Sequence, residues 1–80
     1  MKTYLKVMFP SHARGNIQKV IDTLNVLGFK PVTGEHDFEY SWMKEPRIDE
    51  IVALGSNVQK ALKDTQVMFK LESLPDRSVL

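Results

Sequence analysis

Between residues 2 and 27 the hydrophobic period of the chain changes once, on the corner FPSHARGN, residues 9–16. Before the corner, KTYLKVMF alternates. Thr3, Leu5, Val7 and Phe9 share one parity, and Lys2, Tyr4, Lys6 and Met8 the other. A period of two predicts a half-buried strand, and Pro10 ends it. After the corner, Ile17, Val20, Ile21, Leu24 and Leu27 recur at helical spacing, with Gln18, Lys19, Asp22 and Asn25 outside. That predicts an amphipathic helix over 16–27, with Asn16 as N-cap and Gly28 just past its C-terminus.

The remaining segments repeat this strand-and-helix logic. FKPVT, 29–33, is a short strand that Pro31 confines to a sheet edge. Gly34, Glu35 and His36 form a turn, and DFEYSWM, 37–43, carries Phe38, Tyr40 and Trp42 on one face, so the two runs predict a hairpin. KEPR, 44–47, breaks the pattern. A second helical stripe then holds Ile48, Ile51, Val52, Gly55, Val58 and Leu62 and runs to residue 64. Asp49 and Glu50 in its first turn and Lys60 and Lys63 near its end suit the macrodipole. Ser56 followed by Gln59 offers a second capping box, which leaves a kink or restart at Gly55 open. QVMFKLE, 66–72, alternates again, with Val67, Phe69 and Leu71 inside. Residues 1–73 are thus predicted as one domain and 74–80 as a mobile tail.

The order strand, helix, strand, strand, helix, strand is that of an α+β ferredoxin-like β-α-β-β-α-β two-layer sandwich, with an antiparallel sheet and both helices on one face. Eighty residues leave no room for a second core. A net charge of +1 supplies no field that draws the protein to nucleic acid or to a membrane surface. The absence of cysteine excludes a disulfide scaffold, thiol catalysis and cysteine-ligated metal, and no cofactor is expected. The N-terminus is too short and too interrupted by lysine for a signal peptide, and no apolar run spans a bilayer, so a cytoplasmic location is expected.

A two-layer sandwich leaves one sheet face bare. By parity that face holds Tyr4, Lys6, Met8, Met68 and Lys70, with Met43, Val32, Glu39 and Ser41 beside them. Methionine and tyrosine among lysines mark an association surface, and a homodimer through it or through an edge strand is expected; the alternative is an amphipathic solvent face. Domains of this topology that bind RNA stack bases on open-face aromatics. Here Phe38, Tyr40 and Trp42 have core parity, so nucleic-acid binding is not expected.

The corner itself has two readings. Backbone N–H groups at the start of a helix bind anions. Gly15 permits close approach, and Arg14 pairs with carboxylate or phosphate. His12, Arg14, Gly15, Asn16 and Ile17 are therefore candidate ligand-binding residues, for a small anionic or amino-acid-like ligand. Alternatively, the corner is structural: Gly15 relieves the turn, Asn16 caps, and His12 and Arg14 are solvated. Glu35, His36 and Asp37 are consecutive and diverge from one another, which makes a poor metal site.

RGNIQKVIDTLNVLGFKPV, residues 14–32, resembles the helix and short strand of ACT domains, small regulatory modules with the same element order. Their ligand loop joins the first strand to the first helix and carries a glycine at the helix start. The resemblance implies amino-acid-like ligands bound where two copies meet, with Gly15 approaching the ligand beside Asn16 and Ile17. Acylphosphatases share the topology and use an arginine after the first strand. That likeness would give Arg14 the phosphate and Asn16 or Asn57 the water. The expected function is non-catalytic binding or regulation. The alternatives are a protein–protein interaction module and, more remotely, an acylphosphatase-like hydrolase.

Overall fold

The computed structural model describes residues 1–75, apart from the side chains of Ala13 and Arg14. Strand β1 (Lys2–Met8) leads through a 3-10 turn (Ser11–Asn16) into helix α1 (Ile17–Leu27). Strands β2 (Lys30–Pro31) and β3 (Phe38–Ser41) follow. Helix α2 (Ile48–Ala61) passes through a second 3-10 turn (Lys63–Thr65) into β4 (Met68–Leu74). The four strands form one antiparallel sheet in the order β2-β3-β1-β4. β3 therefore lies between β1 and β2, and β1 lies between β3 and β4. Each strand–helix–strand unit holds a strand of the other between its own pair.

The alternation read from the sequence is the alternation of the sheet. Leu5 faces Phe38 on one side and Leu71 on the other, and Val7 faces Phe69. These side chains meet Val20 and Leu24 of α1 and Leu54, Val58 and Leu62 of the second helical segment in one apolar core. Both helices cover this face. The opposite face, with Tyr4, Lys6 and Met8, is left bare.

Two corners organise the core. Gly28 takes φ +105°, its N–H donates to Asn25 O, and the Phe29 N–H donates to Leu24 O. This left-handed stop closes α1 and drops Phe29 into the core, where it is 1% exposed. A Cβ on Gly28 would lie 2.9 Å from Tyr40 Cε2. At the other corner Thr65 is buried. Its hydroxyl donates to Leu62 O, and its carbonyl accepts from Asn16 Nδ2 at 2.9 Å. Polar groups within the closed face are matched in the same way. Trp42 Nε1 donates to Thr3 Oγ1 at 2.8 Å, and Thr3 Oγ1 lies 2.7 Å from Ser73 Oγ. Among the described residues no buried side-chain nitrogen or oxygen lacks a partner, as a packed interior requires.

Several expectations need correction. Asn16 makes no side-chain cap on α1; its side chain is instead turned to the other corner, where Nδ2 donates to Thr65 O. Helix α2 runs unbroken through Gly55, whose missing Cβ faces Leu71 Cδ1 at an ordinary 3.5 Å. It ends at Ala61 and not at residue 64. The buried stripe of the second helix is narrower than the sequence predicts. At 100° per residue, Ile51, Leu54 and Leu62 lie within about 40° of Val58, whereas Ile48 and Val52 lie about 80° and about 120° away. Both are solvent-exposed. β4 starts later than predicted and includes Leu74, paired with Lys2, so the boundary at residue 73 falls inside a strand. Of the predicted tail, residues 76–80 lie outside the described residues.

Candidate binding face

The β1–β4 ladder sets the bare face out in rungs. Tyr4 stands opposite Glu39 and Glu72, then Lys6 opposite Lys70, then Met8 opposite Met68. Lys30 faces Glu39 from the edge strand. Lys2 Nζ lies 3.7 Å from Glu39 Oε1. Lys6 and Lys70 enter no ion pair among the described residues. Directly opposed like charges cost a few tenths of a kcal/mol or more on a sheet surface. The pair is tolerated because both ammonium groups reach water.

The turn between β2 and β3 completes the site. β3 stops pairing with β1 at Phe38↔Leu5. Beyond that rung the Asp37 N–H donates to Leu5 O at 3.0 Å, and Asp37 Oδ2 accepts from the Val7 N–H at 2.9 Å. A side chain thus continues the ladder where the strand has ended, and it pins residues 35–37 beside β1. Val32 N–H donates to Asp37 O and closes the base of the turn. Gly34 takes φ +106° within it, a conformation that glycine adopts without Cβ strain.

Pinned there, His36 lies over the open face. Its ring stacks on Tyr4 with centroids 4.7 Å apart and planes at 26°, and its Nε2 lies 3.2 Å from Glu72 Oε1. The imidazole bridges β1 to β4 across the sheet. The result is a cavity of about 210 Å³ lined by Lys6, Glu35, His36, Lys70 and Glu72. A wider, shallower depression lies among Tyr4, Val32, Thr33 and Glu39. Among the described residues no group of three or more histidine, aspartate or glutamate side chains could hold a metal ion. Asp37 turns to the β1 backbone while His36 turns to Tyr4 and Glu72, so neighbours in sequence diverge in space.

The residues predicted at the corner are arranged differently. His12 and Gly15 are exposed, and a Cβ on Gly15 would meet nothing within 4 Å. The φ of Gly15 is not positive, so no backbone demand explains the glycine. Ile17 is exposed at the start of α1. The side chain of Arg14 lies outside the described residues. Neither cavity described on the open face is lined by residues 9–17. Of the predicted interface residues, Tyr4 is half-buried under His36, whereas Lys6, Met8, Met68 and Lys70 are exposed on the bare face. Met43 is exposed but follows the end of β3 and does not stand on the sheet.

The sequence reading did not place Glu35, His36 and Glu72 at a site. Parity alone puts Glu72 on the face of Lys6 and Lys70. His36 carries no such signal, because its position depends on where β3 stops pairing.

Fold and site together define a small α+β domain with a four-stranded antiparallel sheet, one covered face and one polar bare face. No family model, no curated protein and no solved structure matches the chain. Among the described residues no helix is long and apolar enough to cross a membrane.

Proposed function

We propose that the chain is a ferredoxin-like, non-catalytic binding or regulatory domain that takes a small charged ligand on its open sheet face. The ferredoxin-like assignment is supported by the element order and by the interleaving of the two strand–helix–strand units. The observation that carries the binding reading is the cavity floored by the Lys6–Lys70 rung and walled by Glu35 and His36. Two ammonium groups opposite one another, with no ion pair among the described residues, are relieved by a bound anion. Binding is favoured over catalysis because the charged groups are exposed. In water their leverage on a transition state is small, whereas catalytic groups draw strength from an excluded, low-dielectric site.

In this reading the ligand lies on the sheet and not at residues 12–17. Asn16 ties the segment between β1 and α1 to Thr65, which supports a structural role for that segment. An amide proton–nitrogen correlation spectrum of the full chain, titrated with small anions at low salt, decides between them. Shifts centred on residues 4–6, 35–36 and 70–72 are expected. Shifts centred on 10–17 would transfer the site to the corner.

A second reading, self-association, is favoured by a different rung. Met8 and Met68 are directly opposed and 49% and 63% exposed. Methionine suits an adaptable contact. A homodimer through this face predicts a molar mass near twice the monomer by light scattering at micromolar concentration, reduced by Met68→Glu. A monomeric wild-type chain ends this reading.

A further inference from the structure

The charges around the cavity specify more than an anion, and we infer that the open face binds a small ligand carrying two anionic groups and one ammonium, an amino dicarboxylate in its simplest form. This rests on the reading of the cavity as a ligand site.

Glu72 is turned to His36, whose Nε2 lies 3.2 Å from its Oε1, a hydrogen bond to a neutral imidazole and an ion pair only to a protonated one. That leaves three lining charges with no side-chain partner among the described residues: Lys6, Lys70 and Glu35. Lys6 and Lys70 come from one rung of the β1–β4 ladder, so their Cβ atoms are about 5 Å apart. Their flexible stems let each ammonium meet a separate carboxylate of one short ligand. Glu35 belongs to the opposite wall, on the turn that Asp37 ties to β1. A simple dianion would leave Glu35 facing like charge. A ligand with an amine on that side turns the same carboxylate into an attraction. A single-carboxylate amino acid would leave one of the two lysines unmatched. The volume, about 210 Å³, suits a ligand of that size. Tyr4 and His36, stacked on one another, hold the wall in place. The site is complete within one chain and does not depend on self-association.

The test uses the full chain at low ionic strength, where exposed charges are least screened. The probes are L-glutamate and L-aspartate, glutarate, which lacks the amine, L-alanine, which has one carboxylate, and inorganic phosphate. Saturable amide shifts at Lys6, Glu35, His36 and Lys70 are expected with one or both amino dicarboxylates. Glutarate, alanine and phosphate should bind at least about threefold more weakly, as the loss of one surface ion pair implies. Lys6→Gln and Lys70→Gln should each weaken the dicarboxylates about two- to fivefold. Glu35→Gln should erase the preference over glutarate while leaving glutarate binding unchanged or stronger. All three positions are exposed, and a circular dichroism melt of each variant checks that the fold is retained.

Glutarate or phosphate binding as tightly as the best amino dicarboxylate would overturn the ligand class and leave the open face as an anion site. A preference that survives Glu35→Gln would do the same. Shifts at the open face with none of the five probes would overturn both the class and the reading it rests on.

Discussion

The two faces of β1 follow one another residue by residue, yet they are built on opposite principles. On the covered face Thr3, Leu5 and Val7 meet partners from β3, β4 and both helices, and even the polar members are matched in pairs. On the bare face Lys6 stands against Lys70, and neither enters an ion pair among the described residues. The covered face carries stability. The bare face is free of that duty, so unpaired charge can persist there at small cost. Substitutions one residue apart in sequence should therefore act on different observables.

The largest effect is expected at Leu5, which is fully buried at the centre of the sheet between Phe38 and Leu71. Leu5→Ala should destabilise the domain by about 3 kcal/mol through lost transfer energy and the cavity left behind. Lys6→Gln, its neighbour, should change stability by no more than about 0.5 kcal/mol. Denaturant unfolding measures both. Equal costs at the two positions would break the contrast between the faces.

Gly28→Ala comes next. Its backbone sits at φ +105°, and the new Cβ would press on the Tyr40 ring from 2.9 Å. Conformation and contact together should cost about 2 kcal/mol, and a domain of this size then loses on the order of 10 °C in Tm. A Tm unchanged within about 2 °C would mean that α1 can end without a left-handed residue. Gly55 offers the control, since it is helical and has room against Leu71. Gly55→Ala is expected to raise stability by about 0.5 kcal/mol.

Thr3→Val keeps the shape of the covered face and removes its hydroxyl. Trp42 Nε1 and Ser73 Oγ then each lose a partner. A part-buried donor left unmatched costs about 1–2 kcal/mol, and the indole fluorescence of the folded state should change with it. A neutral Thr3→Val would show that water reaches Trp42, and that this end of the covered face is wetter than its centre.

How much of this contrast the sequence carried is clear from particular residues. Thr3, Leu5 and Val7 are assigned to the inside by parity alone, as are Phe38, Tyr40 and Trp42, because a strand with one buried face must alternate. Gly28 is read correctly because the end of a helix has a backbone demand that glycine meets. Asn16 is misread because its side chain is oriented by a tertiary partner, the Thr65 carbonyl, 49 residues away in sequence. The cavity is harder still. Lys6 and Lys70 share a parity, but that they form one rung depends on the register of β1 against β4. His36 reaches Glu72 only because β3 stops at Phe38 and Asp37 takes over the ladder. Local pattern determines which face a residue joins. Which residues of that face become neighbours is decided by register and by the ends of strands, which hydrophobic periodicity does not encode.

The smallest effect on stability and the sharpest test of the bare face come from Met68→Glu. Met68 is 63% exposed, so the substitution should shift unfolding by less than about 0.5 kcal/mol. It places a carboxylate one rung from Lys6 and Lys70, on the same face and the same strand as Lys70. If the lysine rung is an anion site, the new carboxylate competes for it, and affinity for an acidic ligand should fall about two- to fivefold. If the face instead mates with a second copy, the molar mass should fall toward the monomer while ligand titrations stay flat. A variant that alters neither binding nor molar mass would leave the bare face as a solvated surface. The difference between the two faces of β1 would then be one of stability alone.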